Sequence, residues 1–366
     1  MRDVAYEAKV SLKTVSRVVN CESNVAPATI RQVQKAITRL GYLRNEHARA
    51  LRQQRVLQML GLVTEDVSNP FYSAIARGVE EEVRDRALLV VAGSSDEDPE
   101  RERALLEMLC EQRVAGLLVV PTGGDHSFLA PEIGHGTAVV FVDRPPESLV
   151  ADTVLLDNFG GAKSGVEHLL AYGHRRVGFV GDLPAIYTTA ERLRGYQVAL
   201  ANAGIEPVSE LVRLGCHDSG SATTAVHQLL ALQDPPTALF ACNNRITIGA
   251  LQCFGGMSQP PALVAFDDFE LAPLLSPPVT VVAYDPAEVG RRAARLVCNR
   301  IDGMNGPPRK SVIPTTIVAR GSGEVTPRQA PAPGQAPAPG QAPVAGQAPV
   351  AKRATAPRRS PGRRSG

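Results

Sequence analysis

Between residues 57 and 302 short apolar runs alternate with stretches of helical periodicity, and this alternation leaves few folds open to the chain. Strands are expected at 57–63, 87–92, 116–120, 138–142, 176–180, 211–214, 238–241, 262–266 and 279–283. Helices are expected at 71–86, 99–112, 162–172, 190–203, 219–232, 247–254 and 286–302. Such alternation gives parallel sheets with helices on both faces. The strands are too many for one comfortable sheet, so two similar doubly wound subdomains account for them better.

Ahead of this α/β body the texture differs. RDVAYEAKVSLKTVSRVVN, residues 2–20, reads as two short helices joined by a tight turn. Asp3 can cap the first, whose apolar face is Val4, Ala5 and Ala8, and Lys9 and Val10 make the turn. Ser11 caps the second, which turns Val15, Val18 and Val19 inward. Its other residues, Leu12, Lys13, Thr14, Ser16 and Arg17, are placed to reach base edges and phosphates. A third helix within 25–40 has Pro27 in its first turn, Thr29 next, a stripe of Ile30, Val33, Ile37 and Leu40, and Gly41 at its end. The first two helices alone also fit an ordinary helical hairpin. Three helices on so small a core suit an all-α helix-turn-helix module, whose second helix enters the major groove.

The net charge of +2 conceals an asymmetry. Residues 1–55 carry eleven Lys/Arg against four Asp/Glu, +7, and residues 329–366 carry six and no acid, +6, which leaves −11 between them. Basic ends on an acidic body point to a nucleic-acid footprint at those ends. No apolar run is long enough for a membrane span, and no charged-then-apolar leader opens the sequence, so a cytoplasmic protein without a membrane partner is expected. The six cysteines form no CxxC pair, which favours reduced, buried thiols over disulfides or a metal site. The repeats QAPAPG and QAPVAG from Gln329 cannot bury a core, so residues 321–366 are expected to form a disordered tail. Its basic end either attracts phosphates non-specifically or only solubilises.

The pattern DVA-EA-VS--TVSRV-N, the helix ending LGY and the following N--AR-L resemble the lactose/galactose repressor family of bacterial transcription regulators. The likeness runs from Arg2 to about Arg320. It implies a headpiece at 1–42, a hinge helix and linker at 43–56, and an effector core at 57–320 with the fold of periplasmic solute-binding proteins. The core would comprise one half at about 57–157 and 286–320 and another at about 158–285, with a small molecule in the cleft. The hinge, opening near Asn45, would fold on operator DNA and wedge Leu51 into the minor groove, kinking the duplex by partial unstacking. Lys13 and Arg17 become the first choices for base or phosphate contacts, and Asn20, Thr29 and Tyr42 for backbone positioning.

The chain departs from the family's pattern in four places. The first helix has almost no lead-in, so the natural start is expected upstream. Lys9 replaces a turn glycine, which is strained if its φ is positive. Arg44 replaces the proline before the hinge asparagine. Residues 249–268 run a few residues short, with Ala265 in place of a glycine, at an edge that often joins the subunit interface.

Ligands of open α/β sheets sit outside the carboxyl ends of the strands. The effector-binding candidates there are Asn69, Phe71 and Tyr72 after the first strand, Asp143 and Arg144 after VVFV, and Asn158 after a crossing strand. Arg192 in RLRGY, Asn243 in CNN and Asp267 in AFDD complete the set, in motifs that match the family's. Asp66, Asp157, Asn244 and Asp268 stand beside them. Any single Asp after a strand also reads as a helix cap. Together these carboxylates, amides and guanidiniums suit a polyhydroxylated ligand with Phe71 or Tyr72 over a sugar face. A sugar is expected, and purines or nucleosides come next.

There is no GxSxG, P-loop, HExxH or clustered His/Cys spacing, so neither an enzyme nor a bound metal or cofactor is expected. The expected function is a ligand-responsive repressor acting as a homodimer on a pseudo-palindromic operator, since one headpiece makes too few contacts. A solute-binding protein of the same core fold is the other reading, and the basic headpiece argues against it.

Overall fold

The computed structural model describes residues 2–19, 25–40 and 58–327. Asn20, Tyr42, Asn45, Leu51, the hinge and residues 328–366 lie outside them.

The headpiece consists of α1 (Arg2–Glu7), α2 (Leu12–Val19) and α3 (Pro27–Leu40). Asp3 lies within α1 rather than ahead of it, because the helix already starts at Arg2; it acts as a first-turn acid facing the helix dipole. Lys9 takes φ 46°, the left-handed turn conformation that glycine adopts without strain. Ser11 Oγ accepts the Thr14 N–H at 3.0 Å and so caps α2. Val4, Ala5, Ala8, Val15, Val18, Val33 and Ala36 form the core, with Ile30 and Ile37 at its margin. Leu40 is exposed, since α3 outruns the two short helices it covers, and Ala36 fills the stripe instead.

The body holds two six-stranded sheets. The first contains β1 (Gln58–Thr64), β2 (Leu88–Ser94), β3 (Gly116–Val119), β4 (Ala138–Val142), β5 (Asp152–Leu156) and β11 (Lys310–Ile313) in the order β11-β5-β4-β3-β1-β2. The second contains β6 (Val177–Val180), β7 (Val212–Arg213), β8 (Ala238–Ala241), β9 (Ala262–Phe266), β10 (Thr280–Ala283) and β12 (Thr316–Val318) in the order β12-β10-β9-β8-β6-β7. The two orders correspond strand for strand. β12 alone pairs antiparallel. β3, β4, β8 and β9 are buried throughout, which is why they read as unbroken apolar runs rather than as alternations.

Helices α4 (Pro70–Val83), α5 (Pro99–Glu111), α6 (Ala130–Gly134) and α11 (Pro286–Ile301) belong to the first half. Helices α7 (Asn158–Ala171), α8 (Tyr187–Asn202), α9 (Ser219–Leu230) and α10 (Asn244–Phe254) belong to the second. α7 and α10 start earlier than their apolar periodicity suggests, because Asp157 accepts the Gly160 N–H at 2.8 Å and Asn243 the Ile246 N–H at 2.9 Å. α4 and α11 touch backbone to backbone: a Cβ on Gly290 would lie 2.0 Å from the Ile75 carbonyl oxygen.

The C-terminal part of the body differs from expectation. Residues 286–320 do not all belong to the first half, because β12 pairs with β10 in the second sheet. The chain therefore passes between the halves at Asp157, between Ala283 and Pro286, and again between Ile313 and Thr316. Nor does the tail begin at 321. Ser322 Oγ donates to Leu263 O at 2.6 Å, Glu324 accepts from Thr280 Oγ1 at 2.8 Å, and His174 Nε2 lies 2.7 Å from Val325 O. β12 packs Ile317 and Val318 against the second core but is only three residues long, and residues 322–325 attach through the polar contacts above, so neither leaves an apolar run of strand length.

Candidate functional site

In the headpiece, the exposed face of α2 presents Leu12 and Lys13 at its leading end, with Thr14, Ser16 and Arg17 half-buried behind them. Thr29 is half-buried in the first turn of α3. An exposed Arg39–Glu7 ion pair at 2.7 Å links α3 to α1 and contributes little stability.

The body carries a cavity at the carboxyl ends of both sheets, enclosing about 480 Å³ of atom-free space with its mouth included. Asn69, Phe71, Tyr72, Asp143, Arg144, Arg192, Asn243 and Asp267 all line it. Asn158 does not line it. It stands behind, where its Oδ1 accepts from Arg192 Nε at 2.8 Å and so orients that guanidinium.

Arg192 is the best-fixed group on the second half. It donates to Cys242 O at 2.5 Å, stacks 3.7 Å above the Phe266 ring and lies 3.9 Å from Asp267 Oδ1. Burial works against its charge, but Asp267 together with Cys242, Tyr284 and Asp143 outweighs burial and raises its pKa. Asp267 also accepts from Tyr284 Oη at 2.7 Å and from the Asn244 N–H at 3.2 Å.

On the first half Arg144 is 5% exposed, with Glu97 Oε1 at 2.7 Å, Glu65 Oε2 at 3.5 Å and Pro121 O at 3.1 Å. Tyr72 Oη donates to Glu65 Oε2 at 3.0 Å, and burial pushes its pKa well up. Burial and then Glu97 raise the Glu65 pKa, against the pull of Arg144. Asp143 is 3% exposed, and burial raises its pKa despite Arg144 and Arg192. Its Oδ1 has no hydrogen-bond partner among the described residues.

Contacts close the cleft from half to half. Asn244 Nδ2 donates to Asn69 Oδ1 at 2.9 Å, and Arg245 donates to Glu65 Oε1 at 3.1 Å and to Asp66. His217 Nδ1 lies 3.0 Å from Asp182 Oδ1, and its Nε2 lies 3.9 Å from Glu65. The hydrogen bond to Asp182 raises the His217 pKa.

Sequence reasoning missed Glu65, Asp182, Thr188, Thr189, Arg245 and Tyr284, all of which line the cavity. Glu65, Asp182 and Tyr284 could have been found, since each closely follows a strand. Thr188, Thr189 and Arg245 sit in first turns of helices and carry no signal of their own. Asp157 serves as a helix cap, and Asp268 pairs with Arg320 at 2.6 Å.

A helix-turn-helix headpiece, together with a two-lobed core and a polar cleft, is the build of a DNA-binding transcription regulator. Residues 1–45 match the bacterial regulatory proteins of the lacI family, and residues 166–323 match a periplasmic binding protein-like domain. The regulator GalS of Salmonella typhimurium is 32% identical over 326 residues, 88% of this chain and 96% of GalS. The probable regulator EndR of Paenibacillus polymyxa is 30% identical over 310 residues, 82% of this chain and 90% of EndR. A solved complex of the transcriptional regulator CelR with cellobiose is 29% identical, with a TM-score of 0.64, and the match covers 87% of this chain and 98% of CelR. The chain belongs to the lacI family of bacterial regulatory proteins and is a DNA-binding transcription regulator. No helix among the described residues is long and apolar enough to cross a membrane.

Proposed function

We propose that the chain is a repressor that binds a pseudo-palindromic operator as a homodimer and is modulated by a sugar in the cleft. The observation that carries the effector reading is the set of carboxylates, amides and guanidiniums around Asp143, with Phe71, Tyr72 and Tyr284 beside them. Such groups exchange hydrogen bonds with hydroxyls while an aromatic ring covers a sugar face. The CelR complex with cellobiose, a relative of the same architecture, supports the same reading. Leu12, Lys13, Thr14, Ser16 and Arg17 read the operator, and Asn20, Thr29, Tyr42, Asn45 and Leu51 complete its grip.

Dimerisation is favoured by exposed apolar side chains on the two halves, Leu89 and Val91 on the edge strand β2 and Leu271 and Leu274 after β9. The headpiece favours a regulator over a solute-binding protein. The cleft binds its ligand without converting it.

The test is a thermal-shift panel of sugars and nucleosides on the full chain, followed by operator titration with any stabilising compound. Saturation at a hundred times Kd stabilises by about 2.7 kcal/mol, a shift of several degrees. A sugar that shifts both Tm and operator affinity supports the reading. A sugar-binding core with no sequence-selective DNA binding by the full chain would favour the solute-binding alternative.

A further inference from the structure

We infer that the cleft selects a hydroxyl-rich ligand bearing no phosphate or carboxylate group. This rests on the effector reading above and narrows it. Three guanidiniums line the cavity, the groups an anionic ligand would be expected to use. Each is already engaged. Arg144 lies on Glu97 and Glu65. Arg245 lies on Glu65 and Asp66. Arg192 is held by Asn158 and Cys242 O and faces Asp267.

Four carboxylates, Glu65, Asp143, Asp182 and Asp267, share the walls with those three cations, while Glu97 and Asp66 add charge from behind. The field inside is therefore negative. The starts of α4, α8 and α10 line the cavity and oppose it, as does His217 beside Asp182 when protonated. Of the three helices, the one without a side-chain cap is α8, with Ile186 at that position, and Thr188 and Thr189 in its first turn line the cavity. Each helix N-terminus supplies about half a positive charge, so the three together stay below the excess of six carboxylates over three guanidiniums. The uncapped start of α8 can orient a neutral oxygen but does not reverse the field.

The open acceptor is Asp143 Oδ1, buried on the cavity wall and lacking a donor among the described residues. Its counterpart Asp267 is satisfied on both oxygens. A ligand hydroxyl or amine can donate to Asp143, whereas a second anion would only add repulsion. The site thus offers an accepting end at Asp143 and a donating end at Thr188 and Thr189, the two halves of hydroxyl recognition.

The experiment compares matched compounds on the full chain by calorimetry. The pairs are glucose with glucose 6-phosphate and glucuronate, galactose with galactose 1-phosphate, ribose with ribose 5-phosphate, and adenosine and cytidine with their monophosphates. Inorganic phosphate is the anion alone. The uncharged member should bind roughly a hundredfold more tightly than its anionic partner. In Asp143→Asn, whose side chain tolerates the same left-handed backbone, the uncharged ligand should weaken about tenfold and the gap should narrow. An anionic partner binding as well as its neutral form, or saturable stabilisation by inorganic phosphate, overturns the inference. A nucleoside that binds while every sugar and nucleotide fails would uphold it and remove the sugar reading. A sugar phosphate as preferred ligand would do the reverse.

Discussion

Asp143 and Asp267 occupy equivalent places in the two halves. Each follows the third strand of its sheet order, β4 or β9, with φ 67° and 74°, and each donates its backbone N–H to the neighbouring strand, to Val154 O at 2.8 Å and Val282 O at 3.1 Å. The left-handed turn, which Asp tolerates better than most residues, aims both carboxylates into the cleft. Their environments then diverge, since Asp267 is bonded on both oxygens while Asp143 leaves one open.

A buried carboxylate oxygen without a donor costs the ligand-free protein stability, even though the other oxygen of Asp143 lies 3.7 Å from Arg144 Nε. Asp143→Asn should therefore raise Tm at neutral pH by a few degrees, at roughly 2–4 °C per kcal/mol, while weakening the effector. The sign follows from the raised folded pKa: the stabilising state lies below the unfolded value near 3.9 and is lost as pH rises through the folded one. The variant's advantage should vanish as pH falls towards about 4. Calorimetric scans at both pH values decide this, and an unchanged or lower Tm at pH 7 would show that Asp143 carries no such cost.

His217 gives a second pH signature. Its pKa is raised by the hydrogen bond to Asp182, with Glu65 and Glu97 adding charge and burial opposing. Its stabilisation is then fully present below about pH 6.5 and is lost as pH rises through the folded value. Because the side chain is about a third exposed, the effect should stay under about 1 kcal/mol. Unfolding of wild type and His217→Gln between pH 6 and 9 should converge at the alkaline end; parallel profiles would exclude the pairing.

Gly290 tests the helix contact. An alanine there would collide with the Ile75 backbone, and backbone cannot rotate away, so Gly290→Ala should cost about 3 kcal/mol or more. Gly134→Ala, in α6 with nothing within 4 Å, serves as the control and should change stability by no more than about 1 kcal/mol. Denaturant midpoints of the two variants provide the comparison.

Arg17 tests the headpiece. Arg17→Ala should reduce operator affinity at least about tenfold with the fold intact, as loss of one base or phosphate contact requires. Near-normal affinity in an electrophoretic shift, with unaltered circular dichroism, would mean that α2 is not the reading helix.

Much of this architecture was legible because a parallel sheet buried on both faces writes itself as apolar runs, as in Ala138–Val142 and Ala262–Phe266. The site was legible where a polar residue stands directly after such a run, as Asp143 and Asp267 do. Arg245 was not, because its meeting with Glu65 depends on how the halves close rather than on local pattern. Asn158 was selected for the right neighbourhood but acts one layer back, a distinction set by side-chain direction. The last strands escaped because edge strands of three or four residues need little apolar surface.

The three passages of the chain between the halves have a mechanical consequence. All lie at the ends of strands adjoining one edge of each sheet, β5 with β11 and β10 with β12. Three tethers side by side act like the pins of a door: sliding and twisting are blocked, and one swing is left. Displacement along that swing grows with distance from the pins, so it is greatest at the far edges, β2 and β7. A ligand that fixes the angle in the cleft thereby sets the position of Leu89 and Val91, at the opposite side of the molecule from the tethers, without touching either.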